Sequence, residues 1–181
     1  MSGVFLTPKL RHNYSRLLDE IAALGYQIAL DTGWPSGNWD DELREQVFGW
    51  VAKCDHVLLN EMEVASLGNS TDFHTALVNV SRGLKPGASL IVKNGAKGAT
   101  GFQSGATMRV DAVPSAVFDT IGAGDSFNAG YLLARLEGSD LTSALEAGCR
   151  AAAAVITRFP RRLIKPGELA ELVELPRRRI V

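Results

Sequence analysis

The chain has 181 residues, 46% hydrophobic and 22% charged, the balance of an ordinary globular protein with a core of its own. Its 19 basic and 20 acidic residues leave a net charge of −1, which excludes the basic footprint of a nucleic-acid or membrane-surface binder. Cys54 and Cys149 lack metal-ligand spacing, no run reaches membrane-span length, and the first residues lack a signal-peptide layout; the expectation is a cytoplasmic protein with reduced thiols and neither nucleic-acid nor membrane partners.

In chain order, "SGVFL" reads as a strand already in progress. Thr7 offers an N-cap and Pro8 a first-turn residue for one helix carrying Leu10, Tyr14, Leu17, Leu18, Ile21 and Leu24, stopped by Gly25. "YQIAL" (26–30) is the next strand, and "DTGWPSGNWDD" is a loop whose Asp40 caps a helix running to Val51. Its tryptophans read as loop anchors ahead of a ligand-pocket role. "HVLLN" (56–60) is a third strand, with helical segments at 61–67 and 72–83, and "SLIVK" (89–93) is a fourth. "ATGFQ" and "TMRVD" around Ser104-Gly105 suggest a hairpin. A helix starts near Asp125, and "SDLTSALEAGCRAAAAVITR" forms another behind it. His12, His56 and His74 are scattered and receive no role; Arg177-Arg178-Arg179 reads as a solvated tail. With no repeat and no linker, the expectation is a single α/β domain over 1–181.

Strands alternating with helices imply right-handed crossovers and a mainly parallel sheet covered on both faces, a three-layer α/β/α sandwich. Ligands of such sheets bind beyond the carboxyl ends of the strands. That rim collects the ends of "IALD", "LLN" and "IVKNG". Asp31 there is equally a substrate-side carboxylate or a turn former. Asn60 and Glu63 taken singly are a strand-end cap and a first-turn carboxylate, and Lys93 and Lys97 taken singly are surface lysines.

"GAGD" (122–125) has two readings of equal weight. In one it is a tight turn with Asp125 as N-cap. In the other the amides of Gly122, Ala123 and Gly124 face an anion at a helix start, and Asp125 takes a proton from a hydroxyl; together these are what phosphoryl transfer needs. The loop ends Gly-Asp-Ser rather than Gly-Lys-Ser/Thr, and Phe127 stands where a dinucleotide fingerprint has its third glycine.

The longer string "DTIGAGDSFNAGYL" (119–132) resembles the C-terminal signature of the PfkB-type, ribokinase-like carbohydrate kinases. "NEMEVASL" is similar to the family's Asn-x-x-Glu element, and "VKNGAKGAT" to its strand-then-glycine segment along the nucleotide. The three occur in family order, so the resemblance covers nearly the whole chain. It implies a ribokinase-like fold and ATP-dependent phosphorylation of a sugar or sugar acid, with a texture that resembles 2-keto-3-deoxygluconate and related sugar kinases slightly more than adenosine kinases. It implies Asp125 as catalytic base and Gly122, Ala123 and Gly124 as anion hole. It puts Asn60 and Glu63 near Mg²⁺ and the triphosphate, with Glu63 acting through water. Lys93, Gly95, Lys97 and Gly98 line the nucleotide side. Asp119 and the Ile121 carbonyl fall where many relatives hold a monovalent cation such as K⁺.

The family's N-terminal Gly-Gly sugar-binding motif and β-sheet lid do not occur in this sequence, so the expectation is a C-terminal portion with the lid absent. Such a portion alone binds ATP weakly and does not turn over sugar, and the lid surface through which relatives form homo-oligomers is missing. The rival expectations are a non-catalytic nucleotide- or phosphate-binding module and an interaction domain. Smaller departures are the missing arginine after Asp31, Arg150 in place of an asparagine on the adenine side, and Phe159-Pro160 in place of a glycine near the cation position.

Overall fold

The computed structural model describes residues 1–158 and 164–172. Phe159-Pro160 and Arg177-Arg178-Arg179, singled out in the sequence, lie outside the described residues. In chain order the elements are α1 (Pro8–Arg11), α2 (Tyr14–Ala23), β1 (Ala29–Leu30), α3 (Asp41–Val51), β2 (His56–Asn60), α4 (Glu61–Leu67), α5 (Phe73–Ser81), β3 (Ser89–Lys93), β4 (Ala99–Gln103), β5 (Ala106–Val110), α6 (Ala123–Leu136), α7 (Leu141–Ile156) and α8 (Pro166–Leu172). The strands form one sheet in the order β1-β2-β3-β4-β5. The α/β expectation holds. The chain divides into two compact units, Met1–Lys93 with Phe102–Thr107 and Asn94–Gly101 with Met108–Val181. Among the described residues no helix is long and apolar enough to cross a membrane.

In the first unit β1, β2 and β3 run parallel, with Leu30 opposite Val57, Leu58 opposite Ile91, and Asn60 opposite Lys93. Strands buried on both faces read as unbroken apolar runs, and "VLL" and "LIV" are such runs. Val57, Leu59, Leu90 and Val92 join one core with Leu18, Leu30, Val47, Trp50 and Val64. Leu58 and Ile91 alternate to the other face and are buried as well. Trp50 meets the Tyr14 ring edge-on, with centroids 5.4 Å apart. Trp39 is buried against Phe5, so the anchor reading of this tryptophan is realised. Asp40 accepts from the Leu43 amide at 2.8 Å and starts α3 where the sequence places it.

Two expectations fail near the N-terminus. "SGVFL" is a 3-10 turn over Val4–Leu6, entered through Gly3 in the left-handed region, and only Ser2 bridges Asp31 beside β1. Val4 is buried while Leu6 is exposed, so the apolar run lacks the second buried face a strand here would need. The single helix is broken at His12–Asn13 into α1 and α2. The Asn13 amide turns back to the Leu10 carbonyl in a 3-10 bond, and Thr7 spends its hydroxyl on the Tyr14 phenol instead of capping. Leu10 and Leu24 are exposed, so the apolar period that joined the two segments does not follow one buried face.

The β4–β5 turn has positive φ at both Ser104 and Gly105, the two-residue geometry of an antiparallel hairpin. The sheet is therefore mixed. In the second unit α6 and α7 pack closely because their contact is built from small side chains. A Cβ on Gly130 would lie 2.7 Å from the Ala147 carbonyl oxygen. Asp140 caps α7 by accepting from the Ser143 amide at 2.8 Å. Arg158 pairs with Glu168 at 2.6 Å, and Arg150 Nε donates to the Leu172 carbonyl at 2.9 Å, both holding α8 to α7. Cys54 and Cys149 are free and buried; burial pushes their thiols up to about 12 and about 11, so both stay unreactive thiols at neutral pH.

Asp55, just before β2, ties the lower ends of three strands together. Its carboxylate accepts from the Ile28 amide at 2.8 Å and pairs with Lys85 at 2.8 Å, and its carbonyl accepts from the Ser89 amide at 2.9 Å. Burial pushes its pKa up, but the Lys85 hydrogen bond, the Ile28 amide and the Lys85 charge outweigh this and hold it below 3.8. A carboxyl with a depressed folded pKa stabilises above its unfolded value, and that stabilisation is lost as pH falls through the folded pKa. Asp55→Asn therefore costs about 1 kcal/mol at pH 7. In urea unfolding, the gap between parent and variant narrows as the pH falls below 3.8; a gap independent of pH contradicts this account.

Candidate functional site

In the first unit the strand register delivers the polar strand ends to one rim. Asn60 closes β2 opposite Lys93, which closes β3, and Asp31 follows β1 directly. Asn60 Oδ1 accepts from the Glu63 amide at 2.9 Å, and Glu63 Oε2 accepts from the Asn60 amide at 2.8 Å. This reciprocal cap satisfies two donors that the start of α4 would otherwise leave open. The cap readings of Asn60 and Glu63 are thus both realised, and they also fix the Glu63 side chain. Glu63 is only 4% exposed. Burial first, and the Asp31 charge next among the raising influences, push its pKa up against the pull of the Asn60 amide and of Lys93.

Lys93 reaches across the end of β2 to Asp31, with Nζ 2.7 Å from Oδ2. Asp31 Oδ1 accepts from the Gly33 amide at 3.2 Å, so the turn-former reading of Asp31 is realised together with an ion pair that sequence alone does not show. Thr32, the next residue, is fully buried and its hydroxyl makes no hydrogen bond among the described residues.

In the second unit "NGAKG" forms a 3-10 turn over Gly95–Lys97. Asn94 is buried; its amide donates to the Gly98 carbonyl at 2.8 Å, and its Oδ1 accepts from the Thr100 hydroxyl at 2.9 Å. Sequence reasoning missed Asn94 as the residue that closes this loop, although Asn before Gly is a turn signal. Gly98 has φ +91, and a Cβ there would lie 2.0 Å from the Val110 carbonyl oxygen. Gly95 and Lys97 are exposed on the same turn.

"GAGD" lies in the second unit too. Asp119 Oδ1 accepts from the Ile121 amide at 2.9 Å, and Thr120 accepts from the Ala123 amide at 3.1 Å. Gly122, at φ +81, is the N-cap of α6, without a side-chain capping bond. Only a residue free of a Cβ takes that backbone without strain. Asp125 is therefore the third helical residue and does not cap, which overturns the N-cap half of the turn reading. Its exposed carboxylate makes no hydrogen bond or ion pair among the described residues. Ala123 spends its amide within the loop, while the amides of Gly124 and Asp125 carry no backbone acceptor among the described residues. First-turn amides without partners, at the positive end of a helix, suit an anion.

Among the described residues no group of three or more His, Cys, Asp or Glu could hold a metal ion. A divalent cation near Glu63 would draw most of its ligands from phosphate oxygens and water, as Mg²⁺ does in phosphoryl-transfer sites. Glu63 fits that use, because Oε2 serves the cap and Oε1 makes no hydrogen bond among the described residues.

The model of the pfkB family carbohydrate kinases matches residues 1–162. A fructokinase of Klebsiella pneumoniae is 30% identical over 117 residues, 64% of this chain and 38% of its own. A 2-dehydro-3-deoxygluconokinase of Escherichia coli is 30% identical over 168 residues, 86% of this chain and 53% of its own. The structure of a probable sugar kinase from Rhizobium etli superposes with a TM-score of 0.75 at 26% identity, over 90% of this chain and 49% of that one. The chain spans about half, or less, of the length of these relatives.

Gly98→Ala tests the loop geometry. It costs about 2–3 kcal/mol and is read as a lower urea midpoint with an unchanged slope; a variant as stable as the parent would contradict the close approach to Val110.

Proposed function

The chain belongs to the pfkB family of carbohydrate kinases, and from that premise we propose that it supplies the phosphate-cradling and base-bearing part of an ATP-dependent kinase for a sugar or sugar acid. The observation that carries the proposal is the start of α6. There, among the described residues, the Gly124 and Asp125 amides that follow Gly122 at positive φ have no backbone acceptors, and the Asp125 carboxylate makes no hydrogen bond or ion pair.

In this reading the acceptor hydroxyl lies against Asp125, which takes its proton as the oxygen attacks the γ-phosphorus of ATP in line, and ADP leaves as the bond from that phosphorus to the β,γ-bridging oxygen breaks. The loop amides at the start of α6 stabilise the charge gathering on the phosphoryl oxygens. Asn60 and Glu63 hold the water shell on the triphosphate side, and Lys93, Gly95, Lys97 and Gly98 line the nucleotide. Mg²⁺, when bound, would neutralise negative charge on the triphosphate. Asp119 and the Ile121 carbonyl offer oxygens to a monovalent cation beside the loop. Among acceptors, 2-keto-3-deoxygluconate stands first, a choice supported by the related 2-dehydro-3-deoxygluconokinase that aligns with most of this chain.

ATP-dependent phosphorylation is to be assayed with the chain alone and joined to the N-terminal half of a relative. Asp125→Asn lowers kcat by roughly 10²–10⁴ with little loss of ATP affinity; near-normal turnover ends the base assignment. Gly124→Val weakens ATP binding in protein that keeps its circular dichroism, because the side chain blocks phosphate from the amides. Unchanged affinity in that folded variant leaves the loop a simple turn.

A further inference from the structure

The rim of the first unit holds one ammonium and two carboxylates in electrostatic contact. Lys93 could neutralise either Asp31 or Glu63. It pairs with Asp31 at 2.7 Å, and the two side chains are only 15% and 13% exposed, so this is no loose surface pair. Asp31 is itself held in place, since the Gly33 amide takes Oδ1 and turns Oδ2 toward Lys93. Glu63 makes no ion pair among the described residues, although Lys93 is close enough to lower its pKa and Asp31 close enough to raise it. The reciprocal cap fixes Glu63 through Oε2 and leaves Oε1 uncommitted. A buried carboxylate beside an ammonium ordinarily draws that ammonium in; here the ammonium is engaged elsewhere.

We propose that Asp31 is a positioning residue: it holds the Lys93 ammonium off Glu63 and so leaves Glu63 Oε1 open to the water shell of a divalent cation. This rests on the nucleotide and Mg²⁺ reading above. Without Asp31, Lys93 swings onto Glu63 and competes with the cation for the same oxygen. Removing Lys93 as well removes the competitor, so the double change undoes the damage of the single one.

The test uses the full chain with Asp31→Asn, Lys93→Met and the double variant, and two readouts. The first is the crystal structure of Asp31→Asn, in which Lys93 Nζ lies within about 4 Å of the Glu63 carboxylate. The second is ADP binding by calorimetry over a MgCl₂ series. The half-saturating MgCl₂ concentration rises about tenfold in Asp31→Asn, as for loss of an outer-shell partner, and falls in the double variant to the value of Lys93→Met, which already lacks the nucleotide-side lysine. A Lys93 that stays clear of Glu63 in Asp31→Asn overturns the proposal, and so does a double variant no better than the single one. Should Asp31→Asn not fold, the double variant, which leaves no lone charge, decides the matter against Lys93→Met: adding Asp31→Asn to Lys93→Met then leaves the MgCl₂ requirement unchanged, and a further rise overturns the proposal. ADP binding by the parent without dependence on MgCl₂ counts against the metal reading of the proposed function, while the crystal structure still decides whether Asp31 diverts Lys93.

Discussion

In-register parallel pairing of β1, β2 and β3 is the constraint from which the polar rim follows. Because Asn60 stands opposite Lys93, β2 and β3 run out at the same level, while β1, with Leu30 opposite Val57, stops short of them. A slip of one residue would turn alternate side chains to the opposite face, moving Val57, Leu59, Leu90 and Val92 out of the core they share. Burial therefore locks the register, and the register places Asn60 beside Lys93, whose side chain reaches Asp31 at 2.7 Å. Asp55 secures the opposite ends of the same strands, holding Ile28 and Ser89 around the start of β2. The apolar middle and the two polar ends thus serve different tasks on the same few residues.

The start of α6 solves a separate problem in the second unit. A helix that begins on Gly122 in the left-handed region forgoes the side-chain cap that a serine or aspartate supplies from an extended N-cap backbone. Natural chains accept such local losses where the backbone is needed for something else. Asp125, placed three residues into the helix rather than on its cap, keeps its carboxylate clear of the helix's own amides. The tight contact of α6 with α7 through Gly130 and Ala147 gives that carboxylate a rigid base.

What the sequence reveals follows the range of the interactions involved. β2 and β3 are recovered to the residue because each is a three-residue apolar run with a polar residue at either end, and α3 because Asp40 is a local cap. The hairpin is recovered because its turn is made by Ser104 and Gly105, adjacent in sequence. The opening segment is misread because apolar content alone does not say that Leu6 faces outward. The α1–α2 break is missed for the related reason that Leu10 and Leu24 keep helical spacing without sharing a buried face. Among the candidate site residues, the Asn60–Glu63 pair is legible as the four-residue motif Asn-x-x-Glu. The Asp31–Lys93 pair spans 62 residues, and no local pattern joins its partners. The strut formed by Asp55 and the Asn94–Thr100 contact escape notice for want of any motif.

The two buried cysteines fall one to each compact unit, Cys54 in the first and Cys149 in the second. All three tryptophans, Trp34, Trp39 and Trp50, belong to the first. Indole emission therefore follows one half of the chain and is blind to the half that carries Asp125. The thiols have no such bias. Each becomes available to a modifying reagent only when its own surroundings open, so labelling rates at the two positions measure the opening free energies of the two units separately and in a single sample.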